Sequence, residues 1–100
     1  MNIAIVDDEK IELETAEVFL RHYIRKFYPE RAAEIHIEIF RAADEFLQVF
    51  SAELYQLVVL GDGMEDVANF VRARGGLDTK ILFLKLKDDW WRENYEYRNR

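Results

Sequence analysis

The sequence contains no cysteine, so it can form neither disulfide bonds nor thiolate metal sites, and we expect a cytoplasmic protein. It also has no long apolar segment. Its longest apolar runs are of strand length, whereas a helix that spans a bilayer needs about 20 such residues. Two acids, Asp7 and Asp8, come too early for a signal peptide. These absences predict that the protein makes no contact with a membrane.

Basic residues are in the minority. The chain has 14 Lys and Arg against 20 Asp and Glu, and its formal net charge is -6. Binding to a nucleic-acid backbone requires clustered Lys and Arg, so we expect no nucleic-acid partner. Hydrophobic residues make up 50% of the chain and charged residues 34%, which is typical of globular domains. A chain of 100 residues suffices for one modest core, so we expect a single domain over residues 1–100.

Four strand patterns alternate along the chain with four helical patterns. The apolar runs at 2–6 and 57–60 predict strands that are buried in a parallel sheet, whereas residues 35–40 alternate with period two and predict a half-exposed edge strand. Apolar residues spaced by three and four predict amphipathic helices, and in the first helix they form one stripe: Leu13, Ala16, Leu20, Ile24 and Phe27. The predicted strands are residues 2–6, 35–40, 57–60 and 80–84. The predicted helices are residues 9–27, 43–50, 66–74 and 88–98.

This alternation predicts an α/β fold with three layers, in which a doubly wound parallel sheet lies between helices. Connections between parallel strands are right-handed in nearly all proteins, and ligands bind beyond the carboxyl ends of the strands. The residues expected at that rim are Asp7 and Asp8 after the first strand, 61–63 after the third and 85–88 after the fourth.

The rim residues and their neighbours resemble a known family. Residues 3–9 (IAIVDDE) are similar to the opening of response-regulator receiver domains, and residues 55–60 (YQLVVL) to their third strand. Three further stretches also resemble the family: Phe46-Leu47, residues 80–84 (KILFL), and Asp88-Asp89 with Tyr95-Glu96. Within the family, the resemblance is to regulators with a LytTR-type DNA-binding output. The resemblance implies a flavodoxin-like sheet of strand order 2-1-3-4, four helices, a role in two-component signalling and no enzymatic activity. It also implies a receiver truncated before its fifth strand.

The family's chemistry uses two acids that hold Mg²⁺, an Asp that accepts a phosphoryl group, a Thr or Ser, and a Lys after the fifth strand. By this resemblance Asp7 and Asp8 match the metal-binding acids and form a vestigial Mg²⁺ site; no cofactor is required, and Mg²⁺ is a possible ligand. Gly61 stands where the acceptor Asp belongs, and Asp62 comes one residue later, which re-aims its side chain. Lys85 stands at the Thr/Ser place. The phospho-acceptor site is therefore degenerate, in the manner of a pseudo-receiver.

Two of these residues have alternative interpretations. Lys85 either turns inward and pairs with Asp7, Asp8 or Asp62, or points to water. A cation should be present if the three acids converge, because unpaired buried carboxylates are costly. Acids after the first strand can also simply cap the following helix, and the sequence makes Asp8 the expected N-cap, with Glu12 near the positive end of the helix dipole.

Without a fifth strand, the fourth strand becomes an edge of the sheet, and an exposed apolar edge invites pairing with another chain. The last predicted helix is also unusually aromatic, and aromatic residues are enriched at interfaces. We therefore predict a protein partner, or self-association to a dimer, through the fourth strand and the fourth helix; the alternative is a monomer whose last helix covers the edge. The expected interface residues are Leu82, Leu84, Trp90, Trp91 and Tyr95.

Three functions fit the sequence. The first is a signalling or protein-interaction domain that is not phosphorylated. The second is a Mg²⁺-dependent receiver that takes a phosphoryl group on Asp62, and the third is an engineered or trimmed scaffold derived from a receiver. Modification of Asp62 with acetyl phosphate and Mg²⁺ separates the first from the second.

Overall fold

The computed structural model describes residues 1–75 and 78–84. Strands and helices alternate in it as the sequence predicts. The strands are β1 (Asn2–Val6), β2 (His36–Phe40), β3 (Leu57–Leu60) and β4 (Lys80–Phe83). The α-helices are α1 (Lys10–Phe27), α2 (Ala43–Val49) and α3 (Glu65–Ala73), and a 3₁₀-helix covers Pro29–Glu34. The fourth predicted helix, at 88–98, lies outside the described residues.

The four strands form one sheet in the order β2-β1-β3-β4, and every neighbouring pair is parallel. The two interior strands are β1 and β3, and Ile5 of β1 lies beside Ile39 of β2 and Val59 of β3. The predicted α/β fold class and strand order are therefore confirmed. All four strands also run in one direction, so their carboxyl ends share one rim.

Helices cover both faces of the sheet. On one face, α2 and α3 pack on a core that is centred on Phe46, Val58 and Val71, all with 0% of their surface exposed. On the other face, α1 places Leu13 and Ile24 against the remaining strand residues. The two faces alternate along each strand, because successive side chains point to opposite sides.

In the first helix the apolar pattern predicts the buried face correctly except at its last residue. Leu13, Ala16 and Ile24 of the predicted stripe are buried, but Phe27 is 55% exposed. Phe27 is the last residue of α1, and the chain then turns into the 3₁₀-helix that begins at Pro29. The sequence interpretation ended the helix correctly before Pro29 and missed the 3₁₀-helix.

Within residues 1–75 and 78–84, no helix has both the length and the apolar character needed to cross a bilayer. The one long helix, α1, carries charged residues throughout its length.

Candidate functional site

Asp7 is the first residue after β1, and the backbone fixes it at the rim of the sheet. Its N–H donates to the carbonyl oxygen of Phe40 at 3.1 Å, which extends the β1–β2 hydrogen bonding by one residue. The residue is only 5% exposed. A carboxyl group at this depth needs internal partners, because a buried polar group without hydrogen bonds is costly.

The carboxyl group of Asp7 finds its partners at the start of α1. Its Oδ1 accepts the N–H of Glu9 at 3.0 Å, and its side chain is also hydrogen-bonded to that of Glu12. Glu9 is the N-cap residue of α1, and its own side chain makes no capping bond. The expectation that Asp8 caps the helix is therefore wrong. Instead, the side chain of Asp7 accepts the backbone N–H of Glu9, the residue that precedes the first turn of α1.

Gly61 lies directly beside this carboxyl group. It follows β3, and its N–H donates to the carbonyl oxygen of Val6 at 2.9 Å, so the backbone places it next to the end of β1. A Cβ atom on Gly61 would overlap Oδ2 and Cγ of Asp7 and would lie 2.8 Å from Oδ1. The carboxyl group of Asp7 thus fills the space that any side chain at position 61 would require.

Burial is the main reason that the pKa of Asp7 is raised above its ordinary value of 3.8. The negative charges of Asp8 and Glu9 act in the same direction, whereas the hydrogen bonds from the Glu9 backbone and the Glu12 side chain oppose the rise. The protonated form of Asp7 is therefore favoured more in the folded chain than in the unfolded one.

The other predicted rim residues lie differently. Asp8 and Asp62 are both exposed, and Asp62 occupies a turn in which Gly63 has a φ angle of +86° and the Met64 N–H donates to the Gly61 carbonyl at 3.3 Å. Lys85 lies outside the described residues. The structure thus brings Asp7 and Gly61 into contact, while the acid that follows Gly61 sits on an exposed turn.

The described acids do not make a full donor set for Mg²⁺. This ion demands a near-octahedral shell of oxygens, and acidic side chains are its usual protein ligands. Of residues 1–75 and 78–84, no three His, Cys, Asp or Glu side chains are grouped so that they could hold a metal ion. Oδ1 of Asp7 already accepts a backbone N–H. The described residues therefore do not fit a bound Mg²⁺ ion.

The expected interface lies on the β4 side of the sheet. In the part of the chain that the structure describes, β4 has a strand on one side only. Leu82 is 47% exposed, and Leu84 is half-buried, with its N–H donating to the Leu60 carbonyl at 2.9 Å. The remaining expected interface residues, Trp90, Trp91 and Tyr95, lie outside the described residues.

At the opposite end of the sheet, a polar cluster holds the strands together, and the sequence interpretation missed it. The hydroxyl of the buried Tyr55 donates to Glu38 Oε2 of β2 at 2.9 Å, and the hydroxyl of the buried Thr79 donates to the Tyr55 carbonyl at 3.1 Å. Arg72 Nη1 of α3 donates to the Thr79 carbonyl at 2.8 Å. Burial and the neighbouring carboxylate raise the pKa of Tyr55 to about 12. A tyrosine just before an apolar strand was the available signal, because a buried hydroxyl needs a partner.

Comparisons with known proteins bear on the fold. No protein-family model matches the chain, and no curated protein sequence matches it. The structure is similar to that of the non-phosphorylated receiver domain of HemR from Leptospira biflexa, with a TM-score of 0.62 and 20% sequence identity. That likeness covers 97% of this chain and 73% of the HemR chain. The chain therefore has the fold of a response-regulator receiver domain.

Proposed function

We propose that the chain is a receiver-fold protein-interaction module that does not accept a phosphoryl group. The observation that carries this proposal is the contact between Asp7 and Gly61. The residue after β3 has no side chain, and the carboxyl group of the residue after β1 occupies the space beside it. The rim is thereby filled by a group that is bound to the start of α1.

Phosphoryl transfer needs a nucleophilic carboxylate and a cation that offsets the charge of the transferred group. Asp7 is poorly placed to act as the nucleophile, because it is buried and its Oδ1 already accepts a hydrogen bond. Asp62 is exposed, one residue beyond the place that follows directly from β3. A shift of one residue turns a side chain away from the direction of its neighbour.

The proposed interaction surface is the β4 side of the molecule, and the proposed partner is a protein or a second copy of this chain. A strand with a neighbour on one side presents backbone N–H and C=O groups that can pair with another strand. Leu82 and Leu84 provide apolar contacts there, and Trp90, Trp91 and Tyr95 belong to the same proposal. The absence of cysteine fits a cytoplasmic location, which we include in the proposal.

Incubation with acetyl phosphate and Mg²⁺, followed by intact-mass measurement, tests the proposal. A receiver that is known to autophosphorylate serves as the positive control in the same experiment. We expect no mass increase for this chain, and no change in its amide NMR spectrum with beryllofluoride and Mg²⁺.

The rival function is a phospho-acceptor that uses Asp62. It requires a mass increase of one phosphoryl group that Asp62→Asn removes and Asp44→Asn, an exposed acid on α2, leaves unchanged. That result would overturn the proposal.

A further inference from the structure

The edge strand β2 directs backbone hydrogen-bonding groups to its outer side. The N–H of His36 donates to the Met1 carbonyl, and the Phe40 carbonyl accepts an N–H from the end of β1, so these residues of β2 face β1. Because successive residues of a strand point their backbone groups in opposite directions, Ile37 and Ile39 direct theirs away from β1. Among the residues that the structure describes, no strand pairs with β2 on that side. An extended chain can therefore pair with β2 there.

A pocket of about 80 Å³ lies beside these groups, on the face of the sheet that carries α1. Its lining comes from three elements: Arg21, Ile24 and Arg25 of α1, Ala32 of the 3₁₀-helix, and Ile35 and Ile37 around the start of β2. An apolar cavity of about 150 Å³ can hold benzene, so this smaller pocket has room for a branched aliphatic side chain. Because Ile37 lines the pocket and also directs its backbone groups outwards, a strand added to β2 places alternate side chains over the pocket.

The two arginines of the pocket differ in their contacts. Arg21 Nη2 contacts Glu17 Oε2 at 2.9 Å, and its Nε donates to the same oxygen at 3.2 Å. Arg25 is exposed and has no acidic partner within residues 1–75 and 78–84. Residues 21–31 carry four Lys or Arg and one acid, in a chain whose net charge is -6. The pocket is therefore a locally basic site that can accept a further carboxylate.

We propose that β2 pairs with an extended segment of a partner protein in which one aliphatic residue lies between two acids on the same face of the strand. The aliphatic side chain enters the pocket, and an acid about 7 Å along the strand, two residues away, lies beside Arg25. On the other face of β2, Glu38 accepts the Tyr55 hydroxyl, and its charge disfavours further acids there. The partner therefore carries acid, aliphatic and acid at alternate positions, with neutral residues between them.

A second copy of this chain does not supply that pattern from the two sheet edges that the structure describes. On the face that carries α1, β2 presents Ile37 and Ile39, and β4 presents Lys80 and Leu82. None of these residues is an acid, and Lys80 would repel Arg25. We therefore assign the site to a different protein. The site lies at the opposite edge of the sheet from β4, so its test does not depend on association through β4 or on phosphorylation.

A blocked heptapeptide of sequence Thr-Glu-Thr-Ile-Thr-Glu-Thr carries the proposed pattern and tests the site on the full chain. Its addition should move the amide NMR signals of Ile37, Ile39 and Arg25 most, and should leave those of β4 unchanged. A peptide with lysine in place of both glutamates should bind several-fold more weakly. A peptide with alanine in place of the isoleucine should also bind several-fold more weakly, because it leaves the pocket empty.

Two pairs of variants locate the binding. Ala32→Leu fills the pocket, whereas Ala33→Leu adds the same group at an exposed residue that does not line it. The first should weaken binding of the glutamate peptide several-fold, and the second should leave it unchanged. Arg25→Gln should also weaken binding several-fold, and its control is Lys26→Gln, which removes an exposed charge outside the pocket. Arg25→Gln decides the question if Ala32→Leu fails to fold by circular dichroism.

Three results of the peptide experiments would overturn the proposal. The glutamate peptide at millimolar concentration moves no signal of β2, the lysine peptide binds equally well, or the two members of each variant pair have equal effects. A fourth contrary result needs no peptide. Signals of Ile37 and Ile39 that shift as the protein concentration rises would assign the edge to a second copy of the chain.

Discussion

The carboxyl group of Asp7 fills the space beside Gly61 in which a side chain at position 61 would stand. The two residues follow neighbouring strands, β1 and β3, and the hydrogen bond from the Gly61 N–H to the Val6 carbonyl holds them together. Asp7 is in turn bound to the start of α1 through the Glu9 N–H. This relationship explains how an acid can fill the end of the sheet although the residues that the structure describes form no metal-binding group around it.

Replacing Asp7 with Asn should stabilise the protein at neutral pH. Burial raises the pKa of Asp7, so the folded state holds the proton more tightly than the unfolded state. The protonated Asp7 therefore stabilises the fold at pH values below the ordinary carboxyl pKa of 3.8. This contribution is lost as the pH rises from 3.8 through the higher pKa that Asp7 has in the folded chain. Asn avoids the charge and keeps an oxygen that can accept the Glu9 N–H. Urea unfolding at several pH values should show that the advantage of Asp7→Asn disappears in acid.

Asp8→Asn is the matched control, because Asp8 is exposed. It should shift the free energy of unfolding by less than about 0.5 kcal/mol at neutral pH, as is usual for surface positions. An Asp7→Asn chain with the same pH profile as the unmodified chain would contradict this account of the buried carboxyl group.

Tyr55→Phe should make the protein less sensitive to alkali. The pKa of Tyr55 is raised to about 12 by burial and by its hydrogen bond to Glu38. The unfolded chain deprotonates near its ordinary value of 10.0, so stability falls as the pH rises from there towards the folded value. At neutral pH the loss of the hydroxyl should cost about 1 kcal/mol. Chemical unfolding should therefore show a flatter pH profile for Tyr55→Phe above the ordinary pKa.

Tyr28→Phe provides the comparison, since Tyr28 is 51% exposed. Its unfolding profile at high pH should follow that of the unmodified chain. Identical profiles for Tyr55→Phe and Tyr28→Phe would show that the Tyr55–Glu38 hydrogen bond does not govern the alkaline loss of stability.

The side of β4 that has no neighbouring strand among the described residues should mediate self-association at high concentration. The N–H of Lys80 donates to the carbonyl of Gln56, just before β3, and that of Leu84 donates to the carbonyl of Leu60 in β3. In a parallel ladder the N–H of Phe83 is therefore directed to the opposite side. Phe83→Pro removes that donor and leaves the ladder to β3 in place. Light scattering coupled to size-exclusion chromatography should show a dimer for the unmodified chain and for Phe83→Ala, but a monomer for Phe83→Pro. A strictly monomeric unmodified chain at high concentration would end the dimer proposal.

The sequence predicted the strands of the sheet well, because runs of β-branched residues and the alternation of apolar with polar residues both follow from the burial of strand side chains. All four strands and three of the predicted helices lie within one or two residues of the expected positions. The α1 stripe was also correct at Leu13, Ala16 and Ile24. The predicted burial of Phe27 was wrong, because a helical pattern does not reveal where the underlying sheet ends.

The site was harder to predict, because its main contact joins residues that are distant in sequence. Gly61 was recognised as a departure from the receiver pattern, but the spacing of residues could not show that the Asp7 carboxyl group fills the vacated space. Likewise, either Asp7 or Asp8 could have turned back to cap α1, and only the backbone direction after β1 decided for Asp7. Tyr55 precedes β3 and Glu38 lies in β2, and β1 lies between these two strands, so the two side chains meet only when the sheet has formed.

A double-mutant cycle between Asp7 and Gly61 tests the central contact most directly. Gly61→Ala should cost about 1–3 kcal/mol of unfolding free energy, because the added methyl group overlaps the Asp7 carboxyl group. Asp7→Ala in the same chain should remove most of that cost. Gly63→Ala is the matched control: its cost arises from the positive φ angle and not from contact, so Asp7→Ala should leave it unchanged. Costs of Gly61→Ala that are equal with and without Asp7 would contradict the account.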